Sequence, residues 1–411
     1  MVASATRKIV LSGYYGFRNS GDEAVLRSIL TALDEEGAKA GITFEPIVLS
    51  ADPEWTTKMY KVRAVPRMKL SEVRKAIQES DGLISGGGSL LQDATGPASV
   101  PYYLGIIKLA QWLGKPTFVY AQGVGPVNRK LFHRLIASVF KKCRYISVRD
   151  MESAELLHTM GVKQDRIEVV PDPVMGMRLP EETEEAASAG AAGAATGAGA
   201  GDADQPAPAP EATASAAQAQ QSGEEAELPV IGISVRFWNK ERAELTALAD
   251  GLAQLARQRS VHLRFLPFHL PSDEEASRFC MGRIGDLAGT GSRISMAPAT
   301  DNPQDMLREV DGCSLLVGMR LHSLIYAASR SVPLLGISYD PKIDHFLARL
   351  GSVPVGTSDQ LSAEKLAAKA QHLLGSRGDW QKQHSGQIER LKREVVFPAQ
   401  RIADYFVKDK G

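Results

Sequence analysis

A chain of 411 residues is longer than one hydrophobic core usually serves, so two domains are expected. Lys plus Arg and Asp plus Glu both number 48, and 44% of the residues are hydrophobic. That is the composition of a soluble globular protein, and it excludes recognition of nucleic acid or membrane through global charge.

Cys143, Cys280 and Cys313 lie far apart and form no CxxC pair, which argues against a zinc knuckle and a disulfide framework and for a reducing compartment. The first apolar segment runs straight into a glycine-rich turn, so no signal peptide is read there. No run approaches the roughly 18 apolar residues of a membrane span. A cytoplasmic protein is expected, with contact at the inner face of the membrane left open.

In chain order, "KIVLSG", "FEPIVLS", "GLISGG", "PTFVYAQG", "YISVR" and "IEVVPD" read as strands, most of them too continuously apolar to be half exposed. Between the first two, "DEAVLRSILTALDEEG" places Val25, Leu26, Ile29, Leu30 and Leu33 on one helical face. Residues 181–228 are rich in Ala, Gly, Pro and Glu with almost no large apolar side chain, which marks a flexible linker. After it, "PVIGISVR", "VHLRFLPF", "SLLVGMR" and "PLLGIS" repeat the strand pattern, with helices near 240–258, 303–310, 322–330 and 342–350. The expectation is α/β: two Rossmann-like parallel-sheet domains, 1–180 and 229–411, facing a cleft, with terminal helices packing back on the first. The basic stretch Lys382 to Arg393 reads as a packing or solvated face, with anionic lipid as the other option.

Ligands of such sheets sit beyond the carboxyl ends of the strands, so residues there matter most. In "YYGFRNSGDEA", Asn19 or Ser20 can cap a helix, and Asp22 is either a first-turn acid or a cleft-facing acceptor for a sugar proton. Gly86, Gly87 and Gly88 leave bare amides that suit an anion or a close sugar contact, although neither the dinucleotide nor the phosphate-loop spacing is present. Arg149 either pairs with Glu152 or projects into the cleft, and Arg236 is placed alike. Asp172, between two prolines, is not read as catalytic. In "VGMRLHSLIYAASR", Arg320 and His322 open a helix, where a cation opposes the macrodipole unless an anion arrives. Lys342 sits at the next strand end. Together these cations imply a small, highly charged anionic substrate.

The segments "GxRNSGDEA", "GLISGGGSLLQD", "QGVGP", "SVRDxxSxxLL", "VVPDPV", "ISVR", "GMRLHSLIYA" and "GISYDPKI", in this order, resemble the polysaccharide pyruvyl transferase family, CsaB type. The resemblance spans both halves and skips the linker. It implies a glycosyltransferase-B-like fold and transfer of pyruvate from phosphoenolpyruvate, as a 4,6-ketal, to N-acetylmannosamine of a lipid-diphosphate-linked cell-wall polymer precursor. The finished polymer would serve S-layer anchoring. No metal-ligand spacing appears in the sequence, so metal independence is expected, with phosphoenolpyruvate as substrate and no cofactor. The resemblance carries donor binding and catalysis onto Arg320, His322 and Arg149. Arg236 and Lys342 join the donor set on their positions, and Asn19, Gly87 and Gly88 are candidate acceptor contacts. In the mechanism this suggests, imidazolium His322 protonates the donor's methylene carbon and Asp22 accepts the sugar proton. A nucleotide-sugar glycosyltransferase and a non-catalytic anionic-glycan-binding protein are the alternatives.

Overall fold

A computed structural model of the chain describes residues 5–93, 98–181 and 228–408; the expected linker lies, but for its ends, outside the described residues. The first sheet is built from β1 (Ala5–Tyr15), β2 (Ile42–Ser50), β3 (Arg63–Pro66), β4 (Gly82–Gly86), β5 (Ser89–Leu91), β6 (Thr117–Val124), β7 (Tyr145–Val148) and β8 (Glu168–Val169). Its order is β3-β2-β1-β4-β6-β7-β8, with the short β5 pairing β6. The second comprises β9 (Val230–Ser234), β10 (His262–Phe265), β11 (Arg293–Met296), β12 (Leu315–Gly318), β13 (Leu334–Ser338) and β14 (Gly356–Thr357). Its order is β11-β10-β9-β12-β13-β14. Every pairing is parallel.

Both sheets reverse their winding once. The first steps from β1 out to β3 and then resumes at β4 on β1's other side; the second does the same around β9 and β12. A crevice opens beyond the strand ends at such a reversal, because neighbouring connections leave in opposite directions. Four strand ends are therefore singled out: those of β1, β4, β9 and β12.

Helix α1 (Ser20–Lys39) starts where Asn19 Oδ1 accepts a hydrogen bond from the Gly21 amide, and it buries Val25, Leu26, Ile29 and Leu33. α2 (Pro53–Tyr60) follows β2. On the sheet's other face, α3 (Leu70–Glu79), α4 (Ser99–Trp112), α5 (Lys130–Phe140) and α6 (Met151–Thr159) share one core with the strands, including Ile77, Ile107, Ile136, Leu157 and Val119. Each such side chain stabilises the fold by about 1.5–3 kcal/mol. In the second domain α7 (Ala243–Gln258), α8 (Ser272–Ile284), α9 (Pro303–Asp311), α10 (Leu321–Ser329) and α11 (Pro341–Arg349) alternate with the strands. Ile231, Ile233, Leu252, Phe265, Leu315 and Val317 belong to its core.

The chain ends in α12 (Ala363–Gly375), α13 (Arg377–Glu394) and α14 (Phe397–Lys408). α14 returns to the first sheet, where the Phe406 ring lies 6.0 Å from Phe44 and 5.8 Å from Phe118. α13 buries Trp380, His384, Ile388 and Leu391, so the Lys382–Arg393 stretch is the flank of a packing helix. No helix among the described residues is long and apolar enough to cross a membrane.

Candidate active site

The four strand ends meet at a cavity of about 380 Å³, at the small end of the range for small-molecule sites. Asn19, Asp22, Gly88, Arg149, Arg236, Arg320, His322 and Lys342 all line it. Arg149 follows β7 and Lys342 follows β13, so strand ends flanking the two reversals reach the same cavity.

Gly87 is the exception. Its φ is +66°, and a Cβ there would fall 1.8 Å from Val25 Cγ1, so this glycine exists to let β4 lie against α1. It is absent from the cavity wall. Gly88, with φ +70°, is the residue that faces the site, where an added Cβ would come 2.9 Å from Asp22 Oδ1.

Arg149 is nearly buried. Its Nη1 donates to Asp172 Oδ2 at 3.2 Å and its Nη2 to Ser89 Oγ at 2.6 Å. The expected alternative partner, Glu152, instead pairs with His345 across 3.0 Å. Asp150 caps α6 by accepting from the Ser153 amide. Gly123 in "QGVGP" makes room for this arrangement, since a Cβ there would sit 3.0 Å from Arg149 Nε. Asp172, not read from sequence as catalytic, joins Arg149 to the His322 side of the cavity. One oxygen caps the turn after it by accepting from the Val174 amide, while the other holds Arg149 and lies 3.9 Å from His322 Nε2.

Arg320 occupies the N-cap position of α10 and, as expected, opposes the helix dipole. The compensating anion belongs to the protein itself. Asp273, fully buried at the start of α8, accepts Arg320 Nε at 3.0 Å and takes Nη2 on its other oxygen. Lys342 likewise sits 3.1 Å from Asp340. These carboxylates stand outside the cavity wall that the cations themselves line, so they fix the cations' positions while leaving them to face the cavity. Arg236 differs, having no carboxylate partner among the described residues. Its Nη1 donates to the Tyr339 hydroxyl at 3.1 Å, and its guanidinium lies 5.3 Å from the Trp238 ring and 4.9 Å from the Tyr339 ring.

Asp22 and His322 meet from opposite sheets. A Cβ on Gly21 would fall 2.1 Å from His322 Nδ1, so the imidazole rests on the first turn of α1, one residue from Asp22. Burial, and then the neighbouring Glu23 charge, push the Asp22 carboxyl up to about 7, with Asp172 adding to the rise and Arg149 and Lys342 opposing it. Burial pulls His322 down to about 4, assisted by Arg149, Lys342 and Arg320 against Asp172. What exposure each retains is onto the cavity, where solvation is poor. His322 Nε2 is buried without a hydrogen-bond partner among the described residues. At neutral pH the pair is therefore a half-protonated carboxyl beside a neutral imidazole, an acid and a base within one pocket.

The profile of the polysaccharide pyruvyl transferase family matches residues 19–341, a span that runs from the Asn19 cap to the residue before Lys342. The chain belongs to that family. Amylovoran biosynthesis protein AmsJ of Erwinia amylovora is 22% identical over 197 residues, covering 39% of this chain and 46% of AmsJ, so the chain spans under half of that curated relative. Among solved structures, UDP-GlcNAc 2-epimerase from Neisseria meningitidis, bound to UDP-GlcNAc, superposes with a TM-score of 0.61 at 12% identity, covering 98% of this chain and 100% of that one. A glycosyltransferase from Rickettsia africae gives 0.59 at 12% identity, covering 99% and 98%. At such identities the likeness is one of fold, and the fold is glycosyltransferase-B-like.

Several residues of this site were not read from sequence: Asp273, Ser89, His269, Tyr14 and Tyr103. Asp273 looks like an ordinary acid in a helix's first turn, and only the tertiary fold sets it behind Arg320. Ser89 follows the three glycines directly, and that position was its one available signal. Tyr14 and Tyr103 line the cavity's first-domain side. The Tyr14 ring is stacked on Phe17 at 3.9 Å, both rings are partly exposed, and Arg67 lies beneath them.

Proposed function

We propose that this cavity transfers the pyruvyl group of phosphoenolpyruvate to two hydroxyls of one sugar as a ketal, releasing phosphate. The reading that fits the sequence resemblance best is the CsaB type: a 4,6-ketal on N-acetylmannosamine of a lipid-diphosphate-linked precursor. The observation that carries it is the convergence of Arg149, Arg236, Arg320 and Lys342 around the Asp22–His322 pair. Four cations suit a donor bearing phosphate and carboxylate together, and Arg236, lacking a carboxylate of its own, has the most charge to offer a phosphate.

The pKa shifts of the pair support acid and base roles in the opposite sense to the sequence-based mechanism. A bound anion raises both pKa values, and Asp22, starting from about 7 against about 4 for His322, takes the proton first. Protonated Asp22 gives its proton to the donor's methylene carbon, making the adjacent carbon electrophilic. One sugar hydroxyl attacks that carbon and passes its proton to neutral His322. Imidazolium His322 then protonates the departing phosphate oxygen, and the cations hold the leaving charge. The second hydroxyl closes the ketal and returns a proton to Asp22, so the site ends as it began. The stacked Tyr14–Phe17 pair offers the apolar face of the acceptor sugar a platform beside Asp22.

Incubation with phosphoenolpyruvate and a synthetic lipid-diphosphate-linked disaccharide, followed by product mass and phosphate release, tests the reading. A product heavier by one pyruvate ketal with stoichiometric phosphate is expected. Transfer from UDP-linked sugars, or binding of glycan with no phosphate released, would establish one of the rival functions instead.

A further inference from the structure

Between Asp93 and Asp150 the sequence contains no acidic residue and nine lysines and arginines, in a chain whose overall charge is zero. In the fold this segment is α4, β6, α5 and β7, and the two helices are neighbours on one face of the first sheet, away from α1.

The outer surface of these helices is both basic and apolar. On α5, Leu131 and Leu135 are 67% and 43% exposed, although the opposite side of the same helix already buries Phe132, Ile136 and Phe140. Four residues apart, the two leucines form a second apolar stripe pointing to solvent, with Arg134 exposed between them. At the end of α4, Trp112 is 75% exposed, with Lys108 Nζ 5.6 Å from its ring. Beside that end Lys141, Lys142, Arg144 and Arg166 line a shallow groove of about 650 Å³. Exposed Trp and Leu rimmed by cations, with the Asp93 carboxylate engaged by the Asn128 and Arg129 amides at the start of α5, match the amphipathic boundary of an anionic bilayer: apolar tips enter the acyl edge while lysines and arginines meet the phosphates. Nucleic acid would suit the cations and leave the leucines unexplained, and a core-like protein partner would leave the cations unexplained.

We infer that the α4–α5 face of the first domain docks the protein on an anionic phospholipid surface. The site is separate from the cavity, and the inference does not depend on the pyruvyl-transfer reading.

Co-sedimentation of the full chain with vesicles of phosphatidylglycerol and phosphatidylcholine, against pure phosphatidylcholine, tests it. Binding to the charged vesicles only, weakening with added salt, is expected. Lys141→Glu/Lys142→Glu should lower the partition coefficient about thirty-fold or more, and Leu131→Ser/Leu135→Ser about tenfold, with far-ultraviolet circular dichroism and phosphate release unchanged. Should either variant fold poorly, quenching of the wild type by brominated lipid decides. Quenching that disappears in Trp112→Phe supports docking through this face. Absence of binding to charged vesicles, equal binding by folded variants, or quenching that survives Trp112→Phe would overturn it, as would a concentration-dependent dimer in solution that the leucine variant abolishes.

Discussion

Asp22 provides the sharpest test of the acid–base assignment. Its carboxyl is raised from 3.8 to about 7, so the protonated fraction is about one half at pH 7, about a tenth at pH 8 and about a hundredth at pH 9. With Asp22 as the acid, kcat/KM for phosphoenolpyruvate should fall about tenfold per pH unit above 7. On the other side, His322 stays neutral down to about 4, so no steep loss from this group is expected until pH 4 is approached. The position of the upper limb is set by named neighbours. Glu23→Gln removes the charge that raises Asp22 most after burial and should move the limb to lower pH, whereas Lys342→Gln removes a cation and should move it higher. The same shift has a stability signature with a definite sign. A carboxyl whose folded pKa lies above its unfolded one favours the folded state at low pH, and that contribution is lost as pH rises from about 4 to about 7. The whole effect is at most about 4 kcal/mol and is reduced by whatever cavity water screens the group. Asp22→Asn should flatten that stability slope in urea titrations and abolish turnover together. A profile of kcat/KM that stays level from pH 7 to 9, or a limb that persists unchanged in Glu23→Gln and Lys342→Gln, would refute the assignment.

Four further outcomes can be stated. Gly21→Ala keeps an ordinary helical backbone but drives a methyl into His322 Nδ1; the melting temperature should hold while kcat drops about a hundredfold, from displacement of the imidazole. Asp273→Ala strands the Arg320 guanidinium beside a buried gap and should cost about 3–5 kcal/mol in urea unfolding, part of it recovered in Asp273→Ala/Arg320→Met. Gly87→Ala forces a clash with Val25 at a left-handed φ, so stability should fall by about 1–3 kcal/mol, read from thermal unfolding. Tyr14→Ala should raise the acceptor KM several-fold and leave the donor KM nearly unchanged, as steady-state kinetics with each substrate varied will show.

The sequence made the alternation of strand and helix easy to follow because the central strands, such as Ile9–Leu11 and Leu315–Val317, are buried on both sides and therefore continuously apolar. Strands at the margins were harder. β3 is four residues ending in proline, β11 is partly exposed, and β14 has two residues, so none carries a run long enough to stand out. The cavity's cations were legible for the same reason as the sheets: each ends or follows an apolar strand. Their carboxylate partners were not, because Asp172 and Asp273 reach Arg149 and Arg320 from 23 and 47 residues away in sequence. Charge balance in the site is a property of the tertiary fold. Gly87 and Gly88 show the limit most plainly, since two adjacent glycines with nearly equal φ have unlike surroundings, one against Val25 and the other against Asp22.

The imidazole of one sheet rests on the helix start of the other, and Arg349 of α11 donates to the carbonyls of Arg149 and Val170 across the same seam. The Asp22–His322 pair is consequently shared property: neither half owns both of its ends. On the proposed pyruvyl-transfer reading, a parting of the halves to admit or discharge a sugar would also separate His322 from Asp22, and an enol phosphate held in the open form would be shielded from wasteful hydrolysis.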